Sequence, residues 1–238
     1  MNERFQRQSF LGPHAEETLT RCCVGIAGLG GGGSHIVQQL AHIGVGKFVI
    51  VDPDHIEETN LNRLVGATAA DVRKRLSKVA IARRVIKRIN PKAQVKAIPK
   101  QWQQCGEVLR VCDVIIGCLD TFGARAELES MARRFLTPYI DIGMDVHEVE
   151  NHFVISGQVI LSMPGHPCSR CVGFLNDDLL AREAQRYGAA GARPQVIWPN
   201  GVLASLAVGI FMQLVTPWHQ EYRTVEYIEF DGNQKRRN

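Results

Sequence analysis

The amino-acid sequence predicts an α/β fold: a mostly parallel sheet with helices on both faces, extended by antiparallel strands in the C-terminal half. Three observations lead there. Short apolar runs alternate with helical patterns through residues 22–143, the order that βαβ units require. A run of glycines sits between the first such strand and the helix after it. The second half carries instead one long β-rich run and one long apolar helix. Length and composition agree with this. The 238 residues and 26.5 kDa allow one large domain or two small ones. Hydrophobic residues at 45% and charged residues at 22% exclude a disordered, collagen-like or coiled-coil chain.

Each element has its own signal. Residues 22–27 (CCVGIA) form a short apolar run ending in glycines. Residues 34–43 place Ile36, Val37, Leu40 and Ile43 at a helical period. Residues 47–51 (KFVIV) are β-branched and aromatic, so they read as a strand. Residues 77–89 set Val79, Ala82, Ile86 and Ile89 on one stripe and Arg83, Arg84, Lys87 and Arg88 off it. That is an amphipathic helix, stopped by Asn90-Pro91. Residues 93–98 form a weak strand, 113–118 (DVIIGC) a buried strand, 121–135 a helix and 138–142 (PYIDI) another strand. Residues 152–162 (HFVISGQVILS) are too long and β-rich for one more short parallel strand. Residues 177–187 read as helical, and Gly188 to Gly191 with Arg193-Pro194 as a loop. Residues 194–218 lack charge, but only 202–215 are steadily apolar, the length of a buried core helix and not of a membrane span. Residues 224–230 alternate as a strand and end at the Asp231-Gly232 turn. Both halves are expected in one sheet and one domain, residues 1–238.

Charge and cysteine usage narrow the setting. The first ten residues (MNERFQRQSF) are charged and lack an apolar core, so no signal peptide is expected. Seven cysteines at irregular spacing then read as reduced thiols or metal ligands in a reducing cytosol, and a cytoplasmic location is expected. The net charge of +4 is unevenly spread: no acidic residue lies between Asp71 and Glu107, while eleven Lys and Arg do, from Arg73 to Lys100. Such a block is most often a solvated helix face, and it can also attract an anionic partner.

The chemistry starts at Gly28-Leu-Gly30-Gly31-Gly32-Gly33, which satisfies G-x-G-x-x-G after a strand and before a helix. Glycines let backbone amides approach a polyphosphate at a helix N-terminus, where the helix dipole favours negative charge. Asp52 lies 24 residues after Gly28 at the end of the next strand, where an acid accepts hydrogen bonds from ribose hydroxyls. The arrangement is Rossmann-like and leaves two chemistries open, hydride transfer from a dinucleotide and nucleotidyl transfer. Residues beyond the loop separate them. Asn60-Leu-Asn-Arg63, Lys78, Cys118-Leu-Asp120 and Arg4-Phe-Gln-Arg7-Gln8 supply cations, an amide and a carboxylate. Hydride transfer has no use for a cluster of cations, whereas triphosphate and magnesium chemistry needs one.

On these residues the chain resembles the ThiF/MoeB/HesA branch of the ubiquitin-activating enzyme superfamily. The matching segments are RFQRQ at 4–8, GLGGGGS at 28–34, VDPDHIEETNLNR at 51–63, Lys78 in RLSKVA, RINP at 88–91, GCLD at 117–120, GQVILSMPGHPCSRC at 157–171 and FDG at 230–232. They cover nearly the whole chain, and their ordered combination is specific where the glycine loop alone is not. The resemblance implies an adenylyltransferase and a homodimer that binds ATP and magnesium. Its substrate is the C-terminal carboxylate of a small ubiquitin-like or sulfur-carrier protein ending in Gly-Gly. That carboxylate attacks the α-phosphate, giving an acyl-adenylate and pyrophosphate. Carried over by position, Gly28, Gly30, Gly31, Gly32 and Gly33 cradle the nucleotide and Asp52 holds the ribose. Asn60, Arg63 and Lys78 surround the phosphates, Asp120 binds magnesium, and Arg7 is an arginine finger reaching the neighbouring subunit. Residues 1–21 are then the arginine-finger segment, 22–143 the nucleotide-binding half, and 144–238 the carrier-binding and dimerisation half.

Three departures follow. Cys168 and Cys171 supply only half of the tetrahedral set that a structural zinc wants, and the chain has no second Cys-x-x-Cys near residue 238. No cysteine lies between Val172 and Asn200, where thioester-forming members carry theirs. Cys22, Cys23, Cys112 and Cys118 fall on or beside core strands, which leaves Cys105 as the exposed thiol expected elsewhere. No appended rhodanese or ubiquitin-fold domain is expected. Two other readings share the glycine loop. One is the related tRNA-modifying branch, slightly favoured by the basic block and the Lys235-Arg236-Arg237 tail. The other is an NAD-dependent Rossmann dehydrogenase. The Cys-x-x-Cys segment and the RFQRQ start favour the protein-activating branch, for which neither membrane nor nucleic acid is an expected partner.

Overall fold

A computed structural model describes residues 3–185, 194–218 and 226–233. In chain order its regular elements are α1 (Ala15–Arg21), β1 (Cys23–Ala27), α2 (Gly31–Ile43), β2 (Lys47–Val51), α3 (Ala69–Arg73), α4 (Lys78–Ile89), β3 (Gln94–Ile98), α5 (Gly106–Leu109), β4 (Val114–Gly117), α6 (Phe122–Arg134), β5 (Tyr139–Val149), β6 (His152–Ser162), α7 (Asp177–Gln185), α8 (Ile197–Val215) and β7 (Tyr227–Asp231). The seven strands form one sheet in the order β3-β2-β1-β4-β5-β6-β7. The pairs from β3 through β5 are parallel, and β5/β6 and β6/β7 are antiparallel. The predicted fold class is therefore the observed one, with both halves of the chain in one sheet.

Side chains alternate across the strands, and both faces are buried. Val24, Ile26, Phe48, Ile50, Val114, Ile116, Ile140 and Ile142 face one core, filled by α1, α2, α4 and α8. Ala27, Val49, Val51, Ile115 and Tyr139 face a smaller core closed by Trp102, Leu109, Leu128 and Ala132. Two buried faces explain why β1, β2 and β4 read as continuous apolar runs.

Several elements extend past their sequence signals. The helix expected from residue 34 begins at Gly31, because the glycines themselves make its first turn. The late apolar helix begins at Ile197, not 202; Pro199 sits in its first turn, where a missing N–H costs nothing. This 19-residue helix is long and apolar enough by length and composition to cross a membrane. Here Leu203, Ala204, Ala207, Val208 and Phe211 belong to the main core. The strand expected at 138–142 runs on to Val149 and pairs with β6 along its whole length, from Tyr139 opposite Ser162 to Val149 opposite His152. Glu150 and Asn151, both at positive φ, make the two-residue turn. A 3₁₀ helix at Glu3–Leu11, and α1 after it, had no signal of their own. The end of the 177–187 helix, the small-residue loop from Gly188 to Arg193, residues 224 and 225, and the Lys235-Arg236-Arg237 tail lie outside the described residues.

Candidate active site

The parallel strands end at a cleft of about 830 Å³. The turn after β1 shapes its floor. Gly28 takes a positive φ of 90°, donates its N–H to Val51 O at 2.9 Å, and lies so close to the Cys118 carbonyl that any side chain would strike it. Gly30, Gly31 and Gly32 line the cleft at the start of α2. Gly33 does not. It is buried, and a Cβ there would collide with the Gly28 carbonyl. Its lack of a side chain allows the close contact between helix and loop.

Asp52 directly follows β2 and is 4% exposed. Its Oδ2 accepts the Leu29 N–H at 2.6 Å and its Oδ1 the Asp54 N–H at 2.8 Å. The carboxylate thus pins the glycine loop from the β2 side. Burial pushes its pKa above the usual carboxylate range, with Lys78 pulling the other way. Asn60 is buried at the end of a short 3₁₀ helix, Glu58–Asn60, where its Oδ1 accepts the Glu57 N–H. Arg63 is half-buried, donates to Thr59 O at 2.6 Å, and has its pKa lowered by desolvation. Lys78 is the first residue of α4, and its ammonium lies 2.7 Å from Asp54 Oδ2. Asp120 follows β4 with its side chain exposed on the cleft. Asp52, Asn60, Arg63, Lys78 and Asp120 therefore converge on one cleft. Arg7 does not join them: it is exposed on the N-terminal 3₁₀ helix and lines no part of its own chain's cleft. That helix is held by Arg4, which donates to Ala41 O at 2.9 Å, and by Phe5, which lies against Gly44.

Other cleft residues had escaped the sequence reading. Lys100, Gln101 and Trp102 follow β3 and line the side towards Asp52. Arg125 lines the opposite side, 91% buried in its side chain, with Nη1 2.8 Å from Asp141 Oδ2. The Tyr139 hydroxyl donates to the other oxygen of Asp141 at 2.7 Å. The Gln158 carbonyl accepts from Arg125 at 2.8 Å while its amide donates to Gly143 O at 3.2 Å. Gly143 is required there, since a Cβ would strike the guanidinium. Asn200, near the start of α8, completes this wall.

Helix α6 ties the far wall to the body. Arg125, Glu129 and Arg133 recur every four residues and so share a face. Glu129 accepts the Ser169 N–H at 2.8 Å, and Arg133 donates to Ser162 Oγ, Met163 O and His166 O at 3.0–3.2 Å. Glu183 of α7 accepts the Phe122 and Gly123 N–H groups at 3.0 and 2.8 Å, capping α6 at the cleft.

The Cys168 and Cys171 sulfurs are 3.3 Å apart, with Cys171 exposed. Among the described residues no group of three or more His, Cys, Asp or Glu is placed to hold a metal. His166 is turned to Glu226 at 2.9 Å. The donors among the described residues do not make up a tetrahedral zinc set. Cys105 is half-buried, and its thiol donates to Gln101 O, so it is not the exposed thiol expected. Burial pushes the thiols of Cys22, up to about 12, and of Cys118 upward.

Comparisons with known proteins bear on the family and the fold. Residues 4–238 match the ThiF family. A sulfur carrier protein adenylyltransferase of Thermus thermophilus is 29% identical over 175 residues, covering 71% of this chain and 63% of that protein. The sulfur carrier protein ThiS adenylyltransferase of Escherichia coli is 32% identical over 224 residues, 90% of this chain and 83% of that one. The chain thus spans about three-fifths of the Thermus relative. Among solved structures, E. coli MccB with ATP superposes with a TM-score of 0.78 at 21% identity, over 98% of this chain and 70% of that one. This last likeness is one of fold.

Proposed function

The chain belongs to the ThiF family, and from that premise we propose that it is an ATP-dependent adenylyltransferase. It activates the C-terminal glycine carboxylate of a small ubiquitin-like or sulfur-carrier protein, giving an acyl-adenylate and pyrophosphate. The observation that carries this is the convergence of Asp52, Asn60, Arg63, Lys78 and Asp120 on one cleft beside the glycine loop. Relatives named as adenylyltransferases support it.

The division of labour follows from placement. Asp52, already bonded to the loop, takes the ribose. The amides of Gly30, Gly31 and Gly32 and the cations Arg63 and Lys78 take the phosphates. Attack at the α-phosphorus builds charge on equatorial oxygens and on the departing pyrophosphate, and fixed cations stabilise it with little reorganisation. Asp120 offers the hard oxygen donor that magnesium prefers. When bound, that ion neutralises phosphate charge. No protein nucleophile is needed. The active unit is a homodimer in which Arg7 reaches the neighbouring subunit's triphosphate, and it works in the cytoplasm. Among the described residues Cys168 and Cys171 offer zinc only two of the four ligands a tetrahedral site wants.

The test is labelled pyrophosphate exchange into ATP, with and without a Gly-Gly-ending ubiquitin-fold carrier. Exchange should require the carrier and vanish in Asp120→Ala with the fold retained. Carrier-independent exchange, or full exchange in Asp120→Ala, would remove the assignment.

The tRNA-modifying reading has one observation in its favour: the block from Arg73 to Lys100 keeps nine cations exposed, with only Lys78 and Arg84 partly covered. A steeply salt-dependent tRNA affinity would speak for it.

A further inference from the structure

Asn200 is 6% exposed and lies where three parts of the cleft meet. Its amide nitrogen donates to Val196 O at 2.8 Å and to Met144 Sδ at 3.2 Å. It presses on the glycine loop so closely that any side chain at Gly31 would strike it. Its Oδ1 accepts a hydrogen bond from no group among the described residues, and it is not one of their fully buried unpartnered atoms, so it keeps acceptor capacity that an incoming N–H can reach.

The side of the cleft matters. In the sheet order, β2 with Asp52 and β5 with Met144 lie on opposite sides of β1 and its glycine loop. The nucleoside end of ATP belongs with Asp52, Gln101 and Trp102 on the β2 side. A carboxylate that attacks the α-phosphate therefore arrives from the β5 side, past Met144 and Asn200. The last residue of a protein tail brings one N–H next to its carboxylate, and an amide oxygen is the acceptor that N–H needs. Resting on the adenylation reading above, we propose that Asn200 Oδ1 accepts the N–H of the tail's last peptide bond. It is a positioning residue that orients the terminal carboxylate towards the α-phosphate. It thereby selects a peptide terminus over a free small carboxylate.

The test uses the full chain and two non-reactive stand-ins for the acyl-adenylate. One is acetyl-glycyl-glycyl-sulfamoyl-adenosine. The other is its ester twin, with the N–H of the last peptide bond replaced by oxygen. Binding of each is measured calorimetrically, with unacylated sulfamoyl-adenosine as reference. The wild type should bind the amide about 3- to 10-fold more tightly than the ester. In Asn200→Ala, and in the volume-keeping Asn200→Leu, that ratio should fall towards one while the reference compound binds as in wild type. Asn200→Asp, which keeps an acceptor, should retain the preference. An equal amide-to-ester ratio in wild type and Asn200→Ala would overturn the proposal, since a packing role would weaken both compounds alike. Failure of the wild type to bind any of the three compounds would instead overturn the adenylation reading on which it rests.

Discussion

Lys78 and Asp54 are joined twice: the ammonium lies 2.7 Å from the carboxylate, and the Lys78 N–H donates to Asp54 O at 2.9 Å. The first turn of α4 is thereby clasped to the loop after β2, with the cation on the cleft. Asp54 is 60% exposed, so the ion pair itself contributes only about 0–1 kcal/mol. Lys78→Ala should lower pyrophosphate exchange by roughly 10²–10³ with little change in melting temperature. Asp54→Asn should cost less than about tenfold, a small part of that range. Equal losses in the two variants would mean that activity needs the clasp and not the cation.

Arg7 stands outside its own cleft, on a segment anchored elsewhere by Arg4 and Phe5. Arg7→Ala should reduce turnover by roughly 10²–10³ without loss of stability. Mixed with Asp120→Ala, it should regain activity, because a mixed dimer holds one site with Asp120 intact and Arg7 supplied from across the interface. No recovery, after subunit exchange is confirmed by mass spectrometry, would falsify the arginine finger in trans.

Burial raises the pKa of Asp52. A carboxyl with a raised pKa takes up its proton earlier as pH falls, above the ordinary value of about 3.9. Protonation removes acceptor capacity from the group that holds the Leu29 N–H and, on the proposed function, the ribose. Affinity for a non-hydrolysable ATP analogue should therefore begin to fall above about pH 4 in wild type. Asp52→Asn should lack that component. Parallel pH profiles in the two proteins would contradict it.

Asp71 behaves in the opposite sense. The Arg84 guanidinium grips both its oxygens at 2.6 Å, and Thr68 adds two more bonds, holding its pKa well below the usual range. A depressed folded pKa gives stability that is present above the unfolded value and lost as pH falls below it. Arg84→Met should cost about 1–3 kcal/mol near neutral pH. The gap from wild type should narrow as pH drops from about 5 towards 2. A gap that stays constant over that range in calorimetric melting would refute the linkage.

The parallel core was legible because two-sided burial leaves a plain mark: Val24–Ile26 and Val114–Ile116 are apolar on both faces. The cleft's polar residues were legible in combination: Asp52 and Asp120 follow strands, Lys78 starts a helix, and Asn60 and Arg63 share the Asn-Leu-Asn-Arg run at the end of a short 3₁₀ helix. The rest depended on contacts far apart in sequence. Arg4 finds its acceptor 37 residues away, so nothing near it announces a helix. The outer part of β5, from Asp145 to Val149, is exposed except for the half-buried Val146 and keeps charged residues, which hides a strand held by β6 alone. Trp102 and Asn200 carry no local motif, and only the assembled sheet brings them to the cleft beside the glycine loop.

The stripe of Arg125, Glu129 and Arg133 has a consequence for how this chain can vary. Each residue of an α-helix turns the next by about 100°. One residue inserted ahead of Arg125 in α6 would swing all three side chains off their partners at once, freeing Asp141, Ser169 and the carbonyls of Met163 and His166 together. Substitutions along α6 can be absorbed one at a time, but a change in its length cannot. Insertions and deletions among relatives should therefore collect in the loops that α6 holds, and α6 itself should keep its length from Phe122 to Arg134.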